Sequence, residues 1–230
     1  MIIGLIGKAR SGKDTVAGMM LERIVNSSKY NLADPLKLCI NSWLGWGYAH
    51  GYGDQKETPQ AVKPDFKALV GYIIKYLPNI TPEQASEVAT RLELSMCTYE
   101  HVRDMVDVFG GRYSSAYHVV SPRQVYQWFG TEGIRQGVSD DYWLTLIPKS
   151  NTTILADVRF ENEADYVRDN GGVLIHIERP DCEVVAAHSS ESNLSFVEGD
   201  IFINNNGSLS DLESKVSQVL LDIEGLDEEA

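Results

Sequence analysis

The 230-residue sequence predicts an α/β fold: a mostly parallel sheet with helices on both faces, carrying a largely helical insertion. Three observations predict it. The apolar run Ile2-Ile3-Gly4-Leu5-Ile6 stops at Gly7 and gives way to residues with helical spacing, the pattern of a buried strand feeding a helix. From Thr152 onward short apolar runs alternate with helical patterns. Between these two regions the texture turns to glycines, aromatics and long helical spacings. Strands alternating with helices must run parallel, joined by crossovers that cover both faces of the sheet.

The elements follow in order. Residues 2–6 read as a strand, and Val16, Met19, Met20, Arg23 and Ile24 keep helical spacing until Asn26-Ser27-Ser28 ends the segment. A short strand is expected at about 30–33, before Asp34-Pro35, where proline suits the first turn of a helix running towards Trp43. "GWGYAHGYGD" (45–54) reads as an exposed loop leaving the core. Helices are expected at Phe66–Tyr76, Pro82–Leu94 and Tyr99–Phe109, within an insertion spanning about 46–145 of a single domain, 1–230. Ser121, Pro122 and Gln124 supply an N-cap, a first helical residue and a capping box for the next helix. Then come strand 153–156, helix 160–170, strands 173–177 and 200–203, and helix 208–224. Gly7, Asp34, Asp157 and Glu178 each follow a predicted strand, which puts them along the carboxyl edge where ligands bind in such sheets.

Composition removes several function classes. Lys and Arg number 20 against 33 Asp and Glu, a formal net charge of −13, so stable nucleic-acid binding is not expected. No apolar run is long enough to span a bilayer, and the N-terminus lacks the marks of a secretory signal. Cys39, Cys97 and Cys182 are odd in number and widely spaced, which suits reduced thiols in a cytosol. The histidines at 50, 101, 118, 176 and 188 show no metal-ligand spacing.

"GKARSGKDTV" (7–16) has the Gly-x-x-x-x-Gly-Lys frame of a phosphate-binding loop, placed between a strand and a helix as that chemistry requires. Glycines let amides turn inwards, the helix start adds positive potential, and Lys13 supplies a mobile cation. The residue after the lysine is Asp14 where Ser or Thr would be usual, with Thr15 one place later. Either side chain can offer oxygen to Mg²⁺. Arg10 puts a permanent cation inside the loop; an ordinary exposed arginine is the plain alternative.

Further along, Arg123, Gln127, Gly130 and Thr131 share one side of the Pro122 helix at 100° per residue, opposite Val125 and Phe129. A mid-helix glycine costs about 1 kcal/mol against alanine, so Gly130 suggests close approach by a ligand or by backbone; a solvated polar face is the other reading. Arg135 suits either a mobile phosphate clamp or the surface. Asp157 ends an apolar strand, as a carboxylate supporting Mg²⁺ would, or else caps the helix beginning near Phe160. Arg159 and Glu163 have the spacing of an i,i+4 pair, Trp143 reads as core, and Lys37 alone is a weak signal.

Taken together, "GKARSGKDT", "LADPLK", "RQVYQWFGTEGIR", "YWL", "DVRFENEAD" and "GDIFINNNGSLSDL" resemble the deoxynucleoside-monophosphate kinases of tailed bacteriophages. The match runs in order from residue 4 to about 220 and is poorest between 45 and 115. Asp after the loop lysine is usual in that family. The resemblance implies a P-loop, nucleoside-monophosphate-kinase-like fold with a helical lid. It implies transfer of the γ-phosphoryl group of ATP to a deoxynucleoside 5′-monophosphate (dNMP) with Mg²⁺, in the cytoplasm of an infected host and in support of phage DNA synthesis; a homodimer is compatible with it. By position, Gly12, Lys13, Asp14 and Thr15 would serve ATP phosphates and metal, and the Asn204–Ser208 loop, with Asn204 and Gly207, would lie near adenine. Arg10, Lys37, Arg123, Gln127, Gly130, Thr131, Trp143, Asp157, Arg159 and Glu163 would surround acceptor and transferring phosphate. Two alternatives remain at this level: a kinase of another small substrate such as dephospho-coenzyme A, and a nucleotide-binding interaction protein without turnover.

Overall fold

A computed structural model of the chain describes residues 1–98, 117–180 and 194–228. The expected helix at Tyr99–Phe109, together with His101, Cys182 and His188, lies outside them. The chain forms two compact units, one of residues 1–32 and 144–230 and the other of residues 33–143.

The first unit is built on five parallel strands: β1 (Ile2–Ile6), β2 (Ser27–Tyr30), β5 (Thr152–Leu155), β6 (Val173–Glu178) and β7 (Ile201–Asn204). Their order is β2-β5-β1-β6-β7, with β1 central and paired to β5 on one side and β6 on the other. Among its described residues are the helices α1 (Lys13–Arg23), α7 (Glu161–Asp169) and α8 (Leu209–Glu228). Side chains alternate across the pleat. Ile3, Leu5, Ile154, Ile175 and Ile177 pack with Val16 and Met20 of α1 and with Leu212, Val216 and Ile223 of α8. On the opposite face, Ile6, Leu155 and Leu174 meet Ala164 and Val167 of α7. This is the parallel, doubly covered sheet that the alternation predicts.

Strand β2 occupies 27–30 and not the 30–33 read from the sequence. Helix α1 stops at Arg23, Asn26 turns the chain at φ 59°, and Ser27 and Ser28 are already extended. Serines that look like a helix stop are tolerated in β2 because it is an edge strand. Its ladder to Thr152–Leu155 supplies what their propensity does not.

The second unit contains α2 (Asp34–Leu44), α3 (Tyr48–Tyr52), α4 (Phe66–Tyr76), α5 (Pro82–Thr98) and α6 (Pro122–Trp128). Two three-residue strands, β3 (Gln60–Val62) and β4 (His118–Val120), form an antiparallel ribbon that local pattern did not announce. The capping box on α6 is present: Ser121 Oγ accepts from the Gln124 amide, and the Gln124 side chain accepts from the Ser121 amide. "GWGYAHGYGD" is exposed over much of its length, as expected, but it is not a loop. It folds into α3 and leads to a 3₁₀ turn at Asp54–Glu57, and Gly51 is buried. Stacking of Trp46 on His50 and of Tyr48 on Tyr52 compensates for glycines that would be poor helix formers alone.

The α6 region also departs from a plain helix. After Trp128 the chain widens into a π-helical turn over Phe129–Arg135, so the 100° stripe ends at about that point. Gly130 does make a close approach, but to a side chain: a Cβ there would sit 2.7 Å from Leu36 Cδ1. Arg135 is not on the surface. It is buried and donates to the Asp140 carbonyl at 2.8 Å and carboxylate at 2.9 Å. Among the described residues Cys39 and Cys97 are free thiols, and burial pushes Cys39 up to about 12. No described helix is long and apolar enough to cross a membrane.

One ionic cluster fixes the β6–β7 side of the first unit. Arg168 of α7 donates to both carboxylate oxygens of Asp200 at 3.3 and 2.9 Å, His176 Nε2 lies 2.9 Å from Oδ2, and the Val197 amide donates at 3.1 Å. Burial pushes the Asp200 carboxyl upward. The Arg168, Val197 and His176 hydrogen bonds outweigh it and hold the group below its ordinary value. A carboxyl depressed in the folded state stabilises above its unfolded pKa, about 4, and that contribution is lost as pH falls through the lower folded value. Asp200→Asn is therefore expected to cost about 2 kcal/mol at pH 7, the scale of hydrogen bonds to a charged group. Thermal melts from pH 7 to 3 check it: the gap between variant and parent should close on the acid side.

Candidate active site

The parallel register brings the strand ends Gly7, Asp157, Glu178 and Asn205 to one edge of the first unit. Gly4 pairs with Leu155, Ile6 with His176 and Glu178 with Asn204. The Gly-x4-Gly-Lys stretch leaves β1 at this edge and enters α1 at Lys13. Two of its residues have left-handed backbone, Arg10 at φ 65° and Gly12 at φ 104°. For Gly12 the absence of Cβ also makes room, because a Cβ would meet Asn205 Nδ2 at 2.5 Å. Ser11 N donates to Lys8 O at 3.1 Å and Val16 N to Gly12 O at 2.9 Å, so the loop closes on itself before the helix begins.

Lys13 does not extend into solvent. Its ammonium donates to the carbonyls of Gly7 and Lys8, and its Nζ stands 3.6 Å from Asp157 Oδ1. The other Asp157 oxygen receives Arg159 Nε at 2.7 Å and an Arg159 terminal nitrogen at 2.6 Å. One carboxylate thus joins the two cations at the mouth of the loop. Asp157 is not the cap of α7. That task belongs to Glu163, which is buried and accepts from the backbone amides of Arg159 and Phe160 at 2.7 and 3.2 Å. The i,i+4 relation of Arg159 and Glu163 is therefore used through the main chain.

Of the remaining predicted residues in this unit, Arg10, Asp14 and Thr15 are exposed. Asp14 pairs with Lys29 of β2. Asn204 is exposed, and its carbonyl accepts from Lys215 Nζ at 2.6 Å; Gly207 follows in the same turn, which the Ser208–Asp211 hydrogen bonds close. Lys29 escaped sequence reasoning, and Asn205 entered it only as part of the Asn204–Ser208 loop, without a role of its own. Asn205 lay in plain view inside "NNNGS", but nothing local distinguishes it from its neighbours. Lys29 carried the weak signal of a lysine on an edge strand.

The second unit holds its own set. Lys37 Nζ lies 4.0 Å from the centre of the Tyr52 ring, and the Tyr52 hydroxyl donates to Asp34 at 2.8 Å. Burial first, then the Asp34 hydrogen bond and charge, push the Tyr52 phenol well above its ordinary value, so it stays protonated. Arg123 forms a 2.5 Å ion pair with Glu57, a partner the sequence did not suggest. Gln127 and Thr131 are half-buried, and Trp143 is 4% exposed, its indole N–H directed to the Gly130 carbonyl at 3.4 Å. The core reading of Trp143 from composition agrees with that burial.

A glycine-bounded loop with left-handed backbone at Arg10 and Gly12, one ammonium and an adjoining carboxylate–guanidinium pair suit polyphosphate chemistry. Comparison with known proteins then decides the lineage. The sequence profile of the family described as deoxynucleotide monophosphate kinase matches residues 1–216. The chain belongs to this family. It is similar to the deoxynucleotide monophosphate kinase of Escherichia phage RB69, 28% identical over 95% of this chain and 99% of that protein. The enzyme of the same name from Enterobacteria phage T4 is also 28% identical, over 95% and 98%. A protein of Acanthamoeba polyphaga mimivirus described as a putative deoxynucleotide monophosphate kinase is 26% identical over 94% of each. The deoxynucleotide monophosphate kinase family thus extends over both units, and membership makes the chain a nucleotide kinase with the α/β fold just described. The dephospho-coenzyme A and non-catalytic alternatives give way to it.

Proposed function

We propose that this deoxynucleotide monophosphate kinase transfers the γ-phosphoryl group of ATP to the 5′-phosphate of a dNMP, giving ADP and a dNDP. The observation that carries the reading is the joining of Lys13 and Arg159 through Asp157 at the mouth of the Gly7–Lys13 loop. The new bond runs from an acceptor phosphate oxygen to the γ-phosphorus, and the bond from that phosphorus to the bridging oxygen of ADP breaks. The attacking oxygen is already ionised, so no general base is required; the protein's work is to position two polyanions and spread their charge. Lys13 and Arg10 face the donor phosphates in this scheme, and Arg159 faces the transferring group. Gly12, Asp14, Thr15, Asn204 and Gly207 complete the donor assignment. Within the first unit Asp157 and Arg159 are assigned to the transferring phosphate; the second unit, taken by itself, offers Lys37, Arg123, Gln127 and Thr131 as its acceptor candidates.

Mg²⁺ suits the donor set. The hydroxyl of Thr15 and the carboxylates of Asp14 and Asp157 are hard oxygen ligands, and Mg²⁺ at phosphate sites takes one or two protein carboxylates with the phosphates and water. When bound it would neutralise β- and γ-phosphate charge. Asp14 and Asp157 each also have a cationic partner here, Lys29 and Arg159. We place the reaction in the cytoplasm, where ATP and dNMPs meet.

The test is a coupled assay of ADP release over dAMP, dCMP, dGMP and dTMP with Mg–ATP. At least one should be turned over at the 1–100 s⁻¹ scale common for kinases, roughly, and activity on none would end the proposal.

A further inference from the structure

The Asn205 side chain spans 194 residues of sequence to reach the phosphate loop: its Nδ2 donates to the Ser11 carbonyl at 2.8 Å. A carbonyl only accepts, so the amide nitrogen must be the end that faces it. The backbone of Asn205 is itself anchored, its N–H donating to Glu178 O at 2.7 Å. The residue before it is tied through its carbonyl to Lys215, and the turn after it by Ser208 and Asp211. Asn205 is thus a strut from the end of β7, tied to the end of β6 by its N–H, to the turn of the loop. It is half-buried and fills the space that a Gly12 side chain would take.

A fixed carbonyl fixes more than itself. The peptide unit is planar and trans, so its C=O and N–H point in opposite directions. Holding Ser11 C=O on Asn205 therefore aims the Gly12 N–H away from Asn205, towards the side a triphosphate must take if loop amides are to hold it. A left-handed Gly12, at φ 104°, is conformationally permissive, and without the anchor that peptide would be free to rotate. We infer that Asn205 is a positioning residue for donor binding, presetting the Gly12 amide and linking the Asn204–Ser208 turn to the phosphate loop. The same link makes order in the turn and order in the loop a single event. This inference rests on the proposal that the loop holds ATP.

Calorimetry with Mg–ATP and steady-state kinetics on Asn205→Ala and Asn205→Leu test it. Alanine removes the donor and opens space; leucine removes the donor and keeps the volume. Both variants should lose at least about tenfold in ATP affinity and raise KM for ATP to match, with KM for the dNMP within about twofold and Tm close to the parent. ATP affinity equal to the parent in either folded variant overturns the inference and leaves the assignment of ATP to the loop standing. So does a parallel rise in both KM values with a lowered Tm, the mark of general loosening. A parent protein that takes up no ATP overturns both, which the parent titration alone reveals.

Discussion

Lys13→Met is expected to lower kcat by about 10³-fold while leaving the fold intact. The size follows from what is removed. A preorganised donor aimed at developing charge is worth about 10²–10³ in rate, and here the donor is also a full cation beside a polyphosphate. That is about 4 kcal/mol of transition-state stabilisation at 1.36 kcal/mol per decade. The fold should survive because, among the described residues, the ammonium contacts the Gly7 and Lys8 carbonyls at the loop mouth and the one-third-exposed Asp157, and Met reaches about as far along the same path. Arg10 and Lys8 do not replace it. Both are exposed, and the left-handed turn at Arg10 fixes the direction in which its side chain leaves the loop. Coupled ADP release measures the loss, and circular dichroism with a thermal melt confirms the structure. Turnover within tenfold of the parent would refute the role given to Lys13.

What could be read from the chain divides along a physical line. Features set by neighbours in sequence were legible. The strand–loop–helix of residues 2–23 is one case, with its glycines and lysine spaced for phosphate; the Ser121–Gln124 capping box is another. Features set by distant partners were not. Ser27 and Ser28 became a strand through their ladder with Thr152 and Thr153. The β3–β4 ribbon joins Gln60 to Val120, too far apart and too short to leave a periodic trace. The π-helical turn defeated a stripe drawn at 100° per residue, since Gly130 and Gly133 permit a wider coil packed on Leu36 and Val88. At the site the chemistry of Lys13, Asp157 and Arg159 was visible as residue types, but not that one carboxylate would join both cations. Nor was it visible that Glu163 would serve two backbone amides. Glu57, Lys29 and Asn205 matter through whom they touch, and that is decided only when the chain has folded.

Asp157→Asn separates positioning from packing at this centre. The carboxylate is about one-third exposed, and exposed ion pairs contribute roughly 0–1 kcal/mol, so Tm should move by little. Its catalytic effect should be much larger, a fall in kcat of about 10²-fold. Asn keeps the shape and can present its one oxygen to Arg159 or to Lys13, but not to both. The amide group then faces the other cation with like polarity. The two positive groups lose their shared anchor, and a displacement of about 1 Å is enough to cost 10²-fold when reacting groups must align. Asp157→Glu retains charge and shifts its position by a methylene, so it should also lose activity, though less. If the loss came from destabilisation, kcat per folded molecule would hold while Tm dropped, and both substitutions would scale with stability. If Asp157 aims Lys13 and Arg159, kcat falls in a protein that melts where the parent does, and adding the charge back one methylene out of place recovers only part of it.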